Sequence, residues 1–307
     1  MKNTLSVKTF GQGPDLALIH GWGLGSAAWR PITDRLAPHF RLHLVSLPGY
    51  ESAPELAPLC PESRASIGST EGAPGEALLT PLFSPPPCRT SMGAALRVAH
   101  STPANLEHAA RRLIEALPAG VTLCGWSLGA LLALQAAWLE PGHIARLILV
   151  GATPSFTQRT DWTLGQPAAL LDTFQAALDD HRQATLQRFI AVLNQGDTQA
   201  RAISRTLLAS LADNPLPDSQ ALSDGLRFLR EIDLRQQVPS VHTPTLLIQG
   251  EKDPLMPLAA ARWLAEHLPA AQARLEIFAG AAHAPFLNDP QRFATLLTDF
   301  CHAPTPR

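Results

Sequence analysis

Cysteine is scarce in this sequence and poorly placed for metal binding. The 307 residues include four cysteines, Cys60, Cys88, Cys124 and Cys301. None forms a CxxC pair or has metal-ligand spacing with a histidine, so the pattern predicts no metal site. Cys124 lies in an apolar run, which is typical of a small core residue.

Charge and long apolar runs are also lacking. Only 16% of the residues are charged, and the formal net charge is −2, so no overall field would attract nucleic acid or an anionic membrane. No uncharged apolar run reaches the ~18 residues of a membrane span. The first eight residues lack the apolar region of a secretory signal. We therefore expect a cytoplasmic monomer that binds neither nucleic acid nor membrane.

Six short apolar runs predict the strands of a central sheet. They lie at 16–19, 42–47, 121–124, 147–150, 245–248 and 275–278. Several are continuous rather than alternating, which is typical of parallel strands covered on both faces. Helical patterns at 128–139 and 259–267 separate strands, as in α/β proteins with right-handed crossovers. The length suits one large domain with an inserted subdomain, or two modest domains.

Two stretches interrupt this alternation of strand and helix. Residues 53–103 are rich in Pro, Ser, Gly and Ala without sustained periodicity, and we predict a mostly irregular insertion there. Residues 153–235 show only helical patterns, at 168–178, 185–193, 200–211 and 219–230. We predict that 153–235 forms a helical cap over the carboxyl edge of the sheet, where ligands of open α/β sheets bind. The core would then comprise 1–152 and 236–307.

The sequence Gly125-Trp126-Ser127-Leu128-Gly129 is the clearest chemical signal. It fits G-x-S-x-G between an apolar strand and an apolar helix, which is the context of a nucleophilic serine held on a tight strand-to-helix turn. Such a five-residue pattern also occurs by chance in loops. The flanking strand and helix favour the functional interpretation, with Ser127 as the nucleophile.

A serine nucleophile needs a base, and two later residues fit that requirement. Asp253 and His283 each follow a predicted strand, and the order Ser, Asp, His is that of the α/β-hydrolase fold. We predict His283 as general base and Asp253 as the carboxylate that orients it, with Glu251 as a rival acid. The predicted fold is therefore an α/β hydrolase. It has a mostly parallel central sheet, helices on both faces and a helical cap inserted before the strand that carries the acid.

His20-Gly21-Trp22-Gly23 follows the first strong strand and resembles the loop that donates one oxyanion-hole N–H in such enzymes. We predict the Trp22 N–H as one donor and the Leu128 N–H as the other. Packing is the alternative role for Trp22, and His20 is predicted to be structural.

Several motifs together resemble those of the pimeloyl-[acyl-carrier protein] methyl ester esterases of biotin synthesis. They are LIHGWGL at 18–24, FRLHLVSLPGY at 40–50, GWSLG at 125–129, VGATPSF at 150–156, QRF at 187–189, DLR at 233–235 and AAHAPF at 281–286. Ser46 and Glu51 depart from the family pattern, which usually has Asp and Gly there. The 53–103 insertion is not part of that pattern.

The resemblance implies hydrolysis of the methyl ester of a pimeloyl chain carried by acyl-carrier protein. It also implies substrate contacts at Phe189 and at the residues that continue its segment: Ile190, Ala191, Val192 and Leu193. Arg188, Arg201 and Arg205 fall where the family's carrier-binding arginines fall, although a solvated helix face explains them as well. Ala184 stands at a further position where the family has arginine.

The predicted mechanism is ester hydrolysis through an acyl-serine intermediate, which requires no metal and no organic cofactor. Two alternatives use the same fold. One is a generalist esterase, lactonase or C–C bond hydrolase. The other is a catalytically silent binding module, against which the ordered Ser127, Asp253 and His283 argue.

Overall fold

A seven-stranded sheet forms the centre of the protein. The computed structural model describes residues 5–50, 106–269 and 273–303. The strands in these ranges are β1 (Ser6–Gly11), β2 (Asp15–Ile19), β3 (Arg41–Ser46), β4 (Val121–Trp126), β5 (Ile144–Val150), β6 (Thr245–Gly250) and β7 (Ala273–Phe278). Their order is β1-β3-β2-β4-β5-β6-β7, with β1 antiparallel to β3 and every other pair parallel. The mostly parallel sheet predicted from the apolar runs is confirmed.

Each of the six predicted strands is present, with bounds that differ by one to three residues, whereas β1 was not predicted. It pairs on one side only, with β3, and most of its residues are exposed. An antiparallel edge strand that faces water has no continuous apolar run, so the sequence pattern that revealed β2 to β7 is missing there.

Helices flank the sheet and fill the connections between its strands. They are α1 (Arg30–Leu36), α2 (Leu106–Ala116), α3 (Leu128–Leu139), α4 (Ala168–Leu193), α5 (Ala200–Ala212), α6 (Ser219–Glu231), α7 (Leu258–His267), α8 (Pro285–Asn288) and α9 (Pro290–His302). The helix predicted at 128–139 matches α3, and ten of its twelve residues are buried. A helix that is apolar all round belongs in the core, and this one holds the predicted nucleophile at its start. No described helix is both long and apolar enough to cross a membrane.

Three helices occupy the chain between β5 and β6, where the cap was predicted. Within α4, His181 has non-helical angles (φ −144°, ψ 69°), so α4 is two helices joined at a kink, as the patterns at 168–178 and 185–193 predicted. The α4 helix packs against α5 and α6, and a bridge between Ser155 and Asp233 joins the two ends of the segment. The division into core and cap remains a prediction. The insertion predicted at 53–103, with Cys60 and Cys88, and the departure at Glu51 lie outside the described residues.

Candidate active site

Ser127 occupies a tight turn between β4 and α3. Its φ of 57° is in the left-handed region, and no other described non-glycine residue has a positive φ. Such a conformation costs on the order of 1–3 kcal/mol and is a feature of functional sites. Ser127 is buried, and its backbone N–H donates to the Val150 carbonyl at the end of β5 (3.0 Å). The turn is therefore fixed to the carboxyl edge of the sheet.

The two glycines of the G-x-S-x-G motif make this turn possible. A Cβ at Gly125 would overlap the Gly129 carbonyl oxygen, and a Cβ at Gly129 would lie 2.5 Å from the Ile19 carbonyl oxygen. Side chains are therefore excluded at both positions because backbone passes where they would stand. The same close approach brings the start of α3 against the end of β2.

His283 and Asp253 form a buried pair. The imidazole Nδ1 lies 2.7 Å from the Asp253 Oδ2, and both side chains are fully shielded from solvent. The other imidazole nitrogen, Nε2, is buried and has no hydrogen-bond partner among the described residues. An imidazole with a carboxylate on one nitrogen and the other nitrogen free is arranged to accept a proton.

The Asp253 carboxylate has a donor on every side. Its Oδ1 accepts from the backbone N–H groups of Leu255 and Met256, both at 2.9 Å. Its Oδ2 accepts from the Gln249 amide at 2.9 Å as well as facing His283. Four hydrogen bonds therefore fix the position of the carboxylate.

The rival acid, Glu251, lies elsewhere. Its exposed side chain accepts a hydrogen bond from the Gly280 N–H (2.9 Å). The structure therefore pairs Asp253 with His283, as the sequence predicted, and gives Glu251 a role in the turn before the histidine.

Several contacts bring the Ser127 turn and the His283–Asp253 pair together. The indole of Trp126, next to Ser127, donates to the His283 carbonyl oxygen (2.8 Å). A Cβ on Gly151, which follows β5, would lie 3.0 Å from His283 Nδ1 and 3.3 Å from Asp253 Oδ2. The three predicted catalytic residues therefore lie at one edge of the sheet, and no hydrogen bond joins Ser127 to His283 Nε2 among the described residues.

The two predicted oxyanion donors also lie beside Ser127. Leu128 is the first residue of α3, so its N–H has no acceptor within the helix. The loop after β2 adjoins the turn, because a Cβ on Gly21 would lie 3.1 Å from the Ser127 Cβ. The Trp22 side chain has the packing role that was the alternative to a role in the oxyanion hole. Its indole N–H donates to the Leu222 carbonyl oxygen (2.8 Å), and its ring packs edge-on against the Phe189 ring, with centroids 4.8 Å apart. The backbone role of Trp22 remains a prediction.

His20 supports this loop from inside the core. Its Nδ1 bonds to the Gly21 carbonyl oxygen (2.8 Å), and its Nε2 accepts from the Leu47 N–H (3.1 Å). Its ring lies 4.5 Å from that of Tyr50, whose hydroxyl accepts from the Gly23 N–H (3.0 Å). Burial lowers the pKa of His20 to about 4, although the bond to Gly21 opposes that shift. The contacts are those of the structural residue that the sequence predicted.

The neutral His20 makes stability depend on pH. Because its pKa falls from 6.5 to about 4 on folding, its contribution is present above pH 6.5 and is lost as the pH falls through this window. That contribution is roughly 3 kcal/mol, at 1.36 kcal/mol per pKa unit. We expect the urea-unfolding free energy to fall less between pH 7 and pH 4.5 in His20→Gln than in the wild type. Parallel pH curves for the two proteins would contradict this expectation.

An apolar pocket opens beside Ser127. Its lining residues are Trp22, Ser127, Phe156, Leu170, Leu171, Phe174, Phe189, Leu226, Leu229 and Leu255. Of the five substrate-contact residues predicted from 189 to 193, only Phe189 is in this lining. Ala191 is exposed, whereas Ile190 and Leu193 are buried. Five consecutive residues of a helix point in all directions, so one pocket contacts only some of them.

The three predicted carrier-contact arginines lie on the surface of two neighbouring helices. Arg188 is on α4, and Arg201 and Arg205 are one turn apart on α5. All three are exposed, and none has an acidic partner within the described ranges. Their role in binding a carrier remains a prediction.

Two polar residues near the site were not predicted from the sequence. Gln249 is buried at the end of β6 and donates to the acid. Asp197 is buried after α4 and accepts from the backbone N–H of Ala282, next to the histidine. A glutamine directly after the apolar run at 245–248 was an available signal for the first. No local pattern marks the second, because its partner is 85 residues away.

Comparison with known proteins places this site in a family. Residues 16–290 match the family model for the alpha/beta hydrolase fold. The pimeloyl-[acyl-carrier protein] methyl ester esterase of Vibrio vulnificus is 32% identical over 300 residues, which cover 98% of this chain and 99% of the relative. That of Photobacterium profundum is 34% identical with the same coverage. This chain belongs to the pimeloyl-[acyl-carrier protein] methyl ester esterase family of α/β hydrolases. The resemblance inferred from the motifs is therefore confirmed.

Solved structures agree with the esterase family at the level of the fold. An esterase from Exiguobacterium antarcticum superposes with a TM-score of 0.73 at 22% identity, over 97% of this chain and 96% of that one. A hydrolase from Oleispira antarctica gives 0.71 at 18% identity. At such identities the likeness establishes the α/β-hydrolase fold of the esterase and says nothing of its substrate.

Proposed function

We propose that this protein hydrolyses the methyl ester of a pimeloyl chain borne by acyl-carrier protein, with Ser127, His283 and Asp253 as its catalytic triad. The observation that carries the chemistry is the buried His283–Asp253 pair beside Ser127, with the second imidazole nitrogen free. The assignment of the substrate rests on the relatives, which are named for it and share about a third of their sequence with this chain over nearly their full length.

Acylation begins at the serine hydroxyl. His283 Nε2 takes the Ser127 proton as the oxygen attacks the ester carbonyl, and Asp253 stabilises the resulting imidazolium. The negative oxygen of the tetrahedral intermediate accepts from the N–H groups of Trp22 and Leu128. His283 then gives its proton to the departing methoxide, which leaves as methanol, and the acyl group remains on Ser127.

Deacylation repeats these steps with water. His283 removes a proton from a water molecule, whose oxygen attacks the acyl-serine. Collapse of the second tetrahedral intermediate returns the proton to Ser127 and frees the new carboxylate. The chain's own residues supply the base, the nucleophile and the oxyanion donors.

The lining of the pocket suits a methylene chain. Apart from Ser127, every lining residue is aliphatic or aromatic, so burial of an acyl chain would contribute about 0.8 kcal/mol per methylene. No charged side chain in this lining would hold the carboxylate product. The lining therefore suits the methylenes of the chain and offers the product carboxylate no cation.

The carrier contact is supported by charge and by exposure. Arg201 and Arg205 share one face of α5, and Leu208, three residues further on, is 37% exposed. Cations around an exposed apolar side chain would suit an acidic partner that presents its own apolar contact. The cytoplasmic location and the monomeric state remain predictions.

Charge reversal tests the carrier contact. We expect the double variant Arg201→Glu/Arg205→Glu to lower kcat/KM for the carrier-bound methyl ester by about tenfold or more, because exposed pairs contribute up to about 1 kcal/mol each and reversal adds repulsion. The loss should shrink at high salt. Steady-state hydrolysis of methyl butyrate, which has no carrier, should be unchanged.

Arg262→Glu is the matched control, since Arg262 is an exposed arginine on α7, outside the proposed contact. It should leave kcat/KM for both substrates near the wild-type values. If the double variant were fully active on the carrier-bound ester, the contact would lie elsewhere. If wild-type kcat/KM were no higher for the carrier-bound ester than for methyl butyrate, a generalist esterase would be the better assignment.

A further inference from the structure

The loop that carries His283 is tied to the rest of the protein through four consecutive backbone N–H groups. Gly280 donates to the side chain of Glu251, the residue after β6, and Ala281 donates to the carbonyl oxygen of Phe278, the last residue of β7. Ala282 donates to the Asp197 Oδ2 at 2.7 Å, and His283 donates to the Leu193 carbonyl oxygen at 3.2 Å. The two N–H groups nearest the imidazole are thus bonded to the segment at the end of α4.

Asp197 is the centre of this connection. It is buried, and besides Ala282 it accepts from the Gln199 N–H and from the Asn288 side chain, each at 2.7 Å. The next residue, Thr198, donates its N–H to the Gly280 carbonyl oxygen at 3.0 Å. A buried carboxylate with three donors has a fixed position, so it can fix the position of what it binds.

We propose that Asp197 is a positioning residue for His283, through which the segment after α4 sets the placement of the catalytic base. The inference rests on the proposed role of His283. It follows that helix α4 would both line the acyl pocket, through Phe189, and position the catalytic base, through the segment at its end. A change in the position of α4 would then alter the acyl pocket and the base together.

The sensitivity of proton transfer to geometry gives the expected size of the effect. A misplacement of about 1 Å at the reacting groups costs roughly 10²-fold in rate. We expect Asp197→Ala to lower kcat on methyl butyrate by about 10- to 100-fold with little change in KM. Labelling of Ser127 by a fluorophosphonate, which needs the base but not the acyl pocket, should slow by a similar factor.

Asp197→Asn separates positioning from stability. With its amide oxygen toward Ala282 it keeps the bond to the loop, while its NH₂ opposes the donors on the other side. We expect it to lower Tm, as Asp197→Ala does, and yet to retain most of kcat. Asp197→Glu keeps the charge but moves the carboxylate by one methylene, and it should lower kcat about tenfold in a protein that still folds.

Asp233→Ala is the control. Asp233 is an acidic residue at the other end of the same segment, and its charged partners are Arg235 and Arg159. It should lower Tm without lowering kcat, measured well below the Tm of each variant. Wild-type kcat and labelling rates in both Asp197→Ala and Asp197→Glu would overturn the inference, and so would wild-type rates in the latter if the former does not fold. Full activity in His283→Ala would instead overturn the proposed function.

Discussion

Ser127→Ala is expected to lower kcat for ester hydrolysis by about 10⁶ while leaving the fold intact. Removal of the nucleophile of such a triad costs that much, and the rest of the site retains only a small residual rate. Alanine keeps the Cβ of serine, so the backbone at φ 57° bears the same steric conflict before and after the change. We therefore expect Tm to shift little, and the loss of activity to be chemical rather than structural.

Two measurements complete this test. A fluorophosphonate should label the wild type once per chain and should not label Ser127→Ala. Ser155→Ala is the matched control, because Ser155 is also a buried serine but lies at the start of the segment predicted as the cap. It should be labelled and active. An active Ser127→Ala protein would contradict the assignment of Ser127 as the nucleophile. A folded wild type that reacts with neither the fluorophosphonate nor the ester would favour a binding module.

Asp253→Asn should lower kcat by about 10⁴, the scale seen when a triad carboxylate becomes an amide. All four acceptor positions of Asp253 are occupied by donors: Gln249, Leu255, Met256 and His283. If the amide oxygen keeps the two backbone donors, its NH₂ faces His283 Nδ1. The histidine must then carry its proton on Nε2, where it cannot accept one from Ser127. Steady-state kcat on methyl butyrate at neutral pH measures this loss.

Glu251→Gln serves as the matched carboxylate-to-amide control. Glu251 accepts from the Gly280 N–H and does not contact His283, and an amide oxygen can still accept there. Its kcat should stay within a few-fold of the wild-type value. The reverse result, a large loss at Glu251 and none at Asp253, would reassign the acid of the triad.

Sequence reasoning predicted the parts of this protein that depend on local chemistry. The strands β2 to β7 are buried, so their apolar residues are continuous and visible. Ser127 lies between glycines that the turn demands, and Asp253 and His283 each follow a strand whose carboxyl end lies at the same edge. The strand-to-helix context therefore predicted that these three residues share one edge of the sheet, whereas their catalytic roles stay predictions.

What the sequence left out depends on contacts between distant segments. Strand β1 is an exposed edge, and its residues need no apolar pattern. The hydrogen bond from Ala282 to Asp197 joins residues 85 positions apart in the chain, so no local pattern predicts it. The substrate segment from 189 to 193 was predicted as a block from the family resemblance; Phe189 lines the pocket beside Ser127, and the contacts of the other four residues stay predictions.

The backbone conformation of Ser127 also creates a conflict between the stability of the fold and the proposed catalytic role of this residue. Glycine would adopt φ 57° without the steric cost that serine bears, so the residue that chemistry requires is not the one that the turn prefers. Selection for thermal stability alone would therefore favour replacement of the nucleophile. The steric cost at position 127 is therefore one that the proposed nucleophile imposes on the fold, as expected where activity and stability place different demands on one residue.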